Sequence, residues 1–217
     1  MIHDALIVGD LTGLYCGPAP DPGAIWARWN LDPLLLAAFA ALALMLARSR
    51  AGGAAVAVLV LAFVSPLCAL SAALFSARVV HHLLLVAVAA PLIALAWPAR
   101  VPRAITPVFL TATGALWIWH LPQAYDAAMA NMGLYWVMQA TLLGSATAFW
   151  RAVLAPGQPA AQAGLAILGA YMQMGLLGAL LTFAPDALYA IHQTAPLSWG
   201  FTPLTDQQLG GIIMWVP

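Results

Sequence analysis

Residues 79–97 read VVHHLLLVAVAAPLIALAW, an apolar run that only two histidines and one proline interrupt. A transmembrane α-helix needs about 20 consecutive apolar residues, and this run comes close to that length. Inside lipid a segment must satisfy its own backbone hydrogen bonds, which a helix does. The run therefore predicts a membrane-spanning helix that carries two imidazoles near its first turn.

The composition of the whole chain agrees with this interpretation. Of its 217 residues, 64% are hydrophobic and 6% are charged, and the mean hydropathy is +0.94. A soluble domain carries roughly 25% charged residues. The formal net charge is zero and every basic residue is an arginine, so the sequence offers no basic patch to nucleic acid. We expect an all-α, polytopic protein of the lipid bilayer.

Prolines, glycines and polar residues divide the chain into about seven predicted helices. They cover residues 31–47, 54–74, 79–97, 103–119, 134–154 and 163–183, and a seventh begins near Thr205 and is cut off at Pro217. The seventh is too short to cross a bilayer. Residues 1–30 are interpreted as a periplasmic N-terminal segment, and residues 31–217 as one transmembrane helical bundle.

The placement of arginine predicts the orientation, because cytoplasmic loops carry an excess of basic residues. Five of the seven arginines fall in alternate loops, whereas the aspartates lie on the opposite side or at its edge. The five are Arg48, Arg50, Arg100, Arg103 and Arg151. The N-terminus is therefore expected outside, together with the longer connections, one of which (QAYDAAMA, residues 123–130) predicts a short interfacial helix.

Several potential metal ligands are expected at one depth, in the outer third of the membrane or just above it. They are His81, His82, His120, His192 and Cys68. Ionisable groups inside a membrane indicate function by default, and imidazole and thiolate ligands suit Cu(I), as do the thioethers that Met172, Met174 and Met214 could supply. Methionines in such helices are more often packing residues. Neighbouring helical residues point about 100° apart, so His81 and His82 are not both expected at one ion. The alternative is that the histidines form structural hydrogen bonds between helices.

The remaining polar residues give weaker signals. Cys16 and Cys68 lack C-x-x-C spacing and are too few for a disulfide scaffold, so they stay candidate thiolate ligands. Arg78 is expected to pair with Asp126 or Asp206, because an unpaired charge at this depth is costly. Asp206 also suits the first turn of the last helix as a cap. Nucleotide loops and catalytic triads are absent from the sequence, which argues against an enzyme.

Four stretches carry a resemblance to a known family: FSARVVHHLLLVAVAAPLIALAWP, WIWHLPQAYDAAM, GLLGALLTFAPDALY and WGFTPLTDQQLGGIIMW. In these stretches the chain resembles the CtaG family of assembly factors for caa3-type cytochrome c oxidase, which are polytopic membrane proteins. The matched motif positions are His82, His120, Pro122, Tyr125, Asp126, Asp206, Gln207 and Gln208. Relatives commonly have histidine at Arg78, glutamine at His81 and often a histidine near Gln139, so this chain departs from them there.

The resemblance implies a role in the maturation of haem-copper oxidases in the bacterial cytoplasmic (inner) membrane. It implies an oxidase subunit as partner, Cu(I) as the ion bound or delivered at the periplasmic face, and a periplasmic copper chaperone as a further candidate partner. Two alternatives stay open. One is a membrane haem b protein with His82 and His120 as axial ligands. The other is a copper permease without an oxidase partner.

Overall fold

The computed structural model describes residues 15–46, 49–102 and 104–215. Within these ranges the regular structure is helical and contains no strand, which confirms the all-α prediction for this part of the chain. Two arginines on which the predicted orientation depends, Arg48 and Arg103, lie outside the described residues, as does Pro217.

The described chain forms ten α-helices. They are α1 (Pro33–Leu46), α2 (Arg50–Phe63), α3 (Pro66–Ala73), α4 (Phe75–Leu83), α5 (Ala90–Ala96), α6 (Ile105–His120), α7 (Pro122–Ala130), α8 (Met132–Val153), α9 (Ala160–Thr182) and α10 (Pro203–Trp215). A π-helical segment, Leu84–Ala89, joins α4 to α5, and 3₁₀ turns cover Pro22–Ala27, Ala190–His192 and Ala195–Trp199. The predicted short helix at residues 123–130 is thus present as α7.

Two helices are long and apolar enough to cross a membrane by themselves, and a bent pair makes a third candidate. The two are the continuous helix Phe75–Ala96 and α9, and the bent pair is α2 with α3. The shorter helices α1, α6 and α10 have 14, 16 and 13 residues, which is less than the length of about 20 that a span needs. By length and composition the structure therefore supports two to three spans, and the predicted seven are not confirmed.

The predicted continuous helix over residues 54–74 is broken, and this part of the sequence prediction is wrong. The axes of α2 and α3 differ by 47°. Pro66 lacks a backbone N–H and occupies the first turn of α3, while the Ser65 hydroxyl accepts a hydrogen bond from the Leu67 amide. A serine followed by proline is a typical helix start, so the chain begins a new helix at this point.

The predicted helix over residues 79–97 begins earlier, at Phe75, and its middle is π-helical. Pro91 has no N–H to donate to the carbonyl four residues before it, which disturbs the regular α-helical pattern. In the widened segment the Val86 carbonyl accepts a hydrogen bond from Trp150 Nε1 at 3.0 Å. Short π-helical insertions of this kind are frequent at functional sites, and His82 lies two residues before the segment.

Helix α10 packs against both α9 and α4. It approaches α9 closely because glycines face each other where the helices cross. A Cβ added to Gly178 would lie 2.7 Å from the Gly211 carbonyl oxygen, so no larger residue fits at that position. Small residues at such crossings are typical of helix packing in membranes.

The two ends of the bundle differ in their contacts. At one end the Arg151 guanidinium lies over the Trp97 ring, 4.4 Å from its centroid, so the C-terminal ends of α8 and α5 meet. At the other end Cys16 and Cys68 form a disulfide with Cα atoms 5.3 Å apart. The proposed thiolate role of Cys68 is not compatible with this bond, because both sulfurs are used in it.

Candidate functional site

The position of α4, which carries three candidate site residues, is fixed by a carboxylate from the other end of the sequence. Asp206 accepts hydrogen bonds from the backbone amides of Phe75, at 2.6 Å, and Ser76, at 3.2 Å, and also from the Ser76 hydroxyl. These amides belong to the first turn of α4. The expectation that Asp206 caps its own helix is therefore wrong, because its fully buried carboxylate caps α4 instead.

The loop between α9 and α10 is attached to the bundle by family motif residues. The Asp126 carboxylate accepts hydrogen bonds from the amides of Ala190 and Ile191, at 3.1 and 3.4 Å. Gln207 accepts one from the Leu188 amide at 2.6 Å. Its amide nitrogen donates to two further carbonyls, while Gln208 beside it is half-buried. Asp126 and Gln207 thus hold a loop and do not converge on an ion.

Tyr125 and His192 form a buried pair beneath this loop. His192 Nδ1 lies 3.4 Å from the Ala73 carbonyl, which only accepts, so Nδ1 is the donor and Nε2 accepts from the Tyr125 hydroxyl at 2.8 Å. Burial, followed by the positive charge of Arg78, lowers the pKa of His192 from 6.5 to about 4. Both nitrogens of this imidazole are occupied, so His192 is not free to bind the predicted ion.

His82 and His120 do come together, as the sequence predicts. Their rings meet edge to face with centroids 5.4 Å apart. His120 Nδ1 donates to the Leu116 carbonyl at 2.7 Å, which leaves Nε2 without a proton. His82 is 5% exposed, and its Nε2 has no hydrogen-bond partner among the described residues. The pair therefore presents two imidazoles with unused ligand capacity.

His81 faces a different neighbour from His82. Its ring lies edge to face on Phe63, with centroids 4.8 Å apart, and it is fully buried. Neither ring nitrogen has a hydrogen-bond partner in the described part of the chain. The two adjacent histidines thus diverge as helical geometry requires.

Arg78 is 5% exposed and its contacts are neutral. The orientation of the Gln139 amide that satisfies its surroundings puts Oε1 2.7 Å from Arg78 Nη2 and 3.0 Å from the Tyr135 hydroxyl. The guanidinium carbon lies 5.1 Å from the Tyr135 ring centroid, and Nη2 lies 3.8 Å from Met138 Sδ. The predicted ion pair with Asp126 or Asp206 is not formed, because both carboxylates bind backbone amides elsewhere.

These side chains line a small cavity between α4, α6, α7 and α8. The lining side chains that carry nitrogen, oxygen or sulfur are Arg78, His82, Trp119, His120, Tyr125, Met138 and Gln139. The sequence analysis missed Met138 and named Met172, Met174 and Met214 as the methionines that could supply thioethers. Met138 lies one residue before Gln139 in α8, and sequence alone gave no reason to place that helix face beside His82.

The donor set fits copper better than it fits haem. No group of three or more histidine, cysteine or acidic side chains able to hold a metal ion occurs among the described residues. Two imidazoles with a thioether nearby nevertheless suit Cu(I). The 5.4 Å between the two ring centroids is the ordinary separation of an edge-to-face ring pair. Rings in edge-to-face contact leave no room between them for a haem macrocycle.

A family model described as cytochrome c oxidase caa3 assembly factor matches residues 44–112 and 104–217. The chain belongs to this family. The two matches together cover most of the sequence, including α4, α6, α8 and α10. Comparison with curated proteins gave no match, and comparison with solved structures gave none either.

For a caa3 assembly factor, the arrangement separates two groups of motif residues. Asp126, Asp206 and Gln207 satisfy backbone groups and so fix α4 and the loop before α10. His82 and His120 line the cavity, and their rings make few hydrogen bonds to the described residues: His120 Nδ1 bonds to the Leu116 carbonyl, and His82 Nε2 has no partner. The first group positions the cavity walls, and the second forms part of the cavity lining.

Proposed function

We propose that this non-enzymatic assembly factor holds a Cu(I) ion between His82 and His120 and passes it to an oxidase subunit in the membrane. The observation that supports the proposal is the contact of two imidazoles: His82 is buried and has an unpartnered Nε2, and His120 is half-buried and has a defined tautomer. A metal-binding histidine commonly donates its second N–H to a carbonyl, which orients the ring. His120 makes such a hydrogen bond to Leu116.

Met138 supplies the third candidate ligand, since it lines the same cavity and its Sδ lies 3.8 Å from Arg78 Nη2. Arg78 lies there too, and its positive charge opposes a cation. Copper held under such repulsion binds less tightly than the ligands alone would allow. Weaker binding suits a protein that transfers its ion, and replacement of Arg78 by glutamine is expected to tighten Cu(I) binding.

We assign the cavity to the periplasmic side of a multi-pass protein in the bacterial inner membrane. Arg100 and Arg151 lie at the far end of the bundle from the Cys16–Cys68 disulfide, and basic residues favour the cytoplasmic side. Disulfides persist in oxidising compartments such as the bacterial periplasm. Both observations support the same orientation, in which a periplasmic copper chaperone has access to the disulfide-linked end.

The orientation is tested by labelling a cysteine introduced at Arg100 with a membrane-impermeant maleimide in intact cells and in permeabilised cells. Labelling is expected only after permeabilisation. Labelling of the intact cells would place Arg100 outside and reverse the assignment.

The copper function is tested by two measurements on one set of variants. Purified protein is titrated with Cu(I) against a chromogenic chelator, and oxidase activity is measured in a strain that lacks the native gene. His82→Ala and His120→Ala are each expected to weaken Cu(I) binding and to lower oxidase activity, which added copper partly restores. His192→Ala is the matched control, because this histidine is also buried but already hydrogen-bonded on both nitrogens.

Loss of stability could imitate loss of function, so the abundance of each variant in the membrane is measured beside the activity. The histidine variants are expected to accumulate normally. Normal oxidase activity in a His82→Ala, His120→Ala double variant would show that the pair does not carry the function. The spectrum of the purified protein also tests the haem alternative, because a haem protein has a Soret band and a Cu(I) protein does not.

A further inference from the structure

The end of the bundle opposite the disulfide is formed by two loops that pack together. One follows α5 (residues 97–102) and the other follows α8 (residues 154–159). A Cβ added to Gly157 in the second loop would lie 3.4 Å from Pro102 Cγ in the first. Arg100 is exposed in the first loop. We call these two loops, together with the last turn of α8, the basic end.

Arg151 is held in place at the basic end. It lies in the last turn of α8, where the helix dipole favours a positive charge. Its guanidinium carbon lies 4.4 Å from the centroid of the Trp97 ring, and its Nε is buried without a hydrogen-bond partner among the described residues. Arg100 follows Trp97 by three residues, so their Cα atoms are at most about 11 Å apart. Two arginines therefore belong to one pair of packed loops, and one of them is already ordered.

The protein supplies no negative charge to the basic end within the part of the chain that the structure describes. All seven acidic residues are aspartates, and the five described ones lie towards the disulfide-linked end: Asp21, Asp32, Asp126, Asp186 and Asp206. The hydrogen bonds of three of these carboxylates go to Tyr15, to the loop before α10 and to the start of α4. An anion that neutralises the basic end therefore has to come from outside the described chain.

Apolar side chains surround the two arginines. Trp97, Val101 and Leu154 are all exposed, although they lie beside charged residues at the end of the bundle. Arginine next to exposed aliphatic and aromatic side chains is typical of the level at which acyl chains give way to headgroups. A water-soluble anion would use only the arginines, whereas a phospholipid would use both kinds of side chain.

We propose that the basic end binds an anionic phospholipid, with its phosphate on Arg100 and Arg151 and its acyl chains beside the exposed apolar side chains. The planar guanidinium matches the geometry of a phosphate and forms charge-assisted hydrogen bonds with it. Basic sites between the ends of membrane helices are suited to such headgroups. With the orientation given under the proposed function, the lipid lies in the cytoplasmic leaflet, and only this choice of leaflet rests on that function.

The test uses the full chain in a neutral detergent without added copper. It is titrated with phosphatidylglycerol or with phosphatidylcholine that has the same acyl chains, and native mass spectrometry measures the bound lipid. Both lipids carry a phosphate, but the choline group cancels its charge in the second. Wild-type protein is expected to bind phosphatidylglycerol roughly tenfold or more tightly, because each arginine near an anionic lipid contributes about fivefold, or about 1 kcal/mol.

Variants separate this site from the net charge of the protein. Arg100→Gln and Arg151→Gln are each expected to weaken phosphatidylglycerol binding about fivefold, and the double variant should bind both lipids equally. Arg100→Lys keeps the charge and should retain most of the affinity. Arg28→Gln is the matched control, because it removes one positive charge at the other end, where Arg28 Nη2 donates to the Pro18 carbonyl. Arg100→Gln leaves the contact of Arg151 with Trp97 in place, so it tests the site even if Arg151→Gln fails to fold.

Equal binding of the two lipids by the wild type would overturn the proposal, as would unchanged phosphatidylglycerol binding in Arg100→Gln. An equal loss in Arg28→Gln would also overturn it, because the effect would then be one of net charge. Inorganic phosphate provides a further test. If inorganic phosphate binds as tightly as phosphatidylglycerol and displaces it, the acyl chains add nothing and the lipid proposal is wrong. None of these measurements involves copper, so this proposal and the copper function fail separately.

Discussion

Replacement of Asp206 is expected to destabilise the fold through a helix that lies 130 residues earlier in the sequence. The carboxylate accepts from two backbone amides at the buried start of α4 and from the Ser76 hydroxyl. In Asp206→Ala both amides lose their acceptor in a position that water does not reach. In Asp206→Asn one oxygen remains as an acceptor, and the amide nitrogen opposes a donor.

The magnitude follows from the number of donors left unpaired. Each buried donor without a partner costs about 1–3 kcal/mol, so the two amides in Asp206→Ala correspond to a loss of about 2–6 kcal/mol in the free energy of unfolding. Asp206→Asn leaves about one donor unpaired and should lose about 1–3 kcal/mol. The Ser76 hydroxyl can rotate towards another acceptor and is not included.

The free energy of unfolding is measured in mixed micelles by titration with a denaturing detergent, followed by far-UV circular dichroism. Asp186→Ala is the matched control, because Asp186 is exposed, and exposed substitutions usually change stability by less than about 0.5 kcal/mol. Because α4 carries Arg78 and His82, loss of the cap should also weaken Cu(I) binding. An Asp206→Ala variant within about 0.5 kcal/mol of the wild type would refute the capping argument.

Three further predictions concern single contacts. The pKa of His192 is lowered from 6.5 to about 4, so between these pH values the unfolded state binds more protons than the folded state. The free energy of unfolding should therefore fall by roughly 3 kcal/mol as the pH falls through this window, and His192→Gln should make it less dependent on pH. Reduction of the Cys16–Cys68 disulfide, which closes a loop with a sequence separation of 52, should lower the free energy of unfolding by about 4 kcal/mol, whereas reductant should not change the stability of a Cys16→Ser, Cys68→Ser variant. Met138→Leu should lower the Cu(I) affinity, whereas Met172→Leu, at an exposed position, should leave it unchanged. If a chelator titration gave the same Cu(I) affinity for Met138→Leu and the wild type, Met138 would be excluded as a ligand.

The length of an uninterrupted hydrophobic run predicted the bounds of several helices well. α6, α8 and α9 differ from their predicted ranges by a few residues at each end. The break at Ser65 and Pro66 was missed although it has a local signal, since serine before proline typically begins a helix. The π-helical segment has a weaker local signal in Pro91, because a proline inside an apolar run usually produces only a kink.

The site was predictable only in part, because its contacts join distant parts of the chain. The sequence analysis expected His82 and His120 at a similar depth, and in the structure their rings are in contact. The partner of Arg78 was not predictable, because depth alone does not tell which face of α8 Gln139 and Met138 occupy. The Cys16–Cys68 disulfide was missed for the same reason, since no spacing rule connects cysteines so far apart.

The polar groups whose hydrogen bonds remain unmade indicate where the chemistry of this protein lies. Asp126, Asp206 and Gln207 direct their oxygens to backbone amides, and removal of any of them leaves a donor unpaired. By contrast, the Nε2 of His82, both ring nitrogens of His81 and the charge of Arg78 have no full compensation among the described residues, although burial makes each of them costly. Folding alone would favour apolar side chains at these three positions. His81 packs on Phe63 and does not line the cavity, so we propose that a bound ion supplies the missing interaction only at His82.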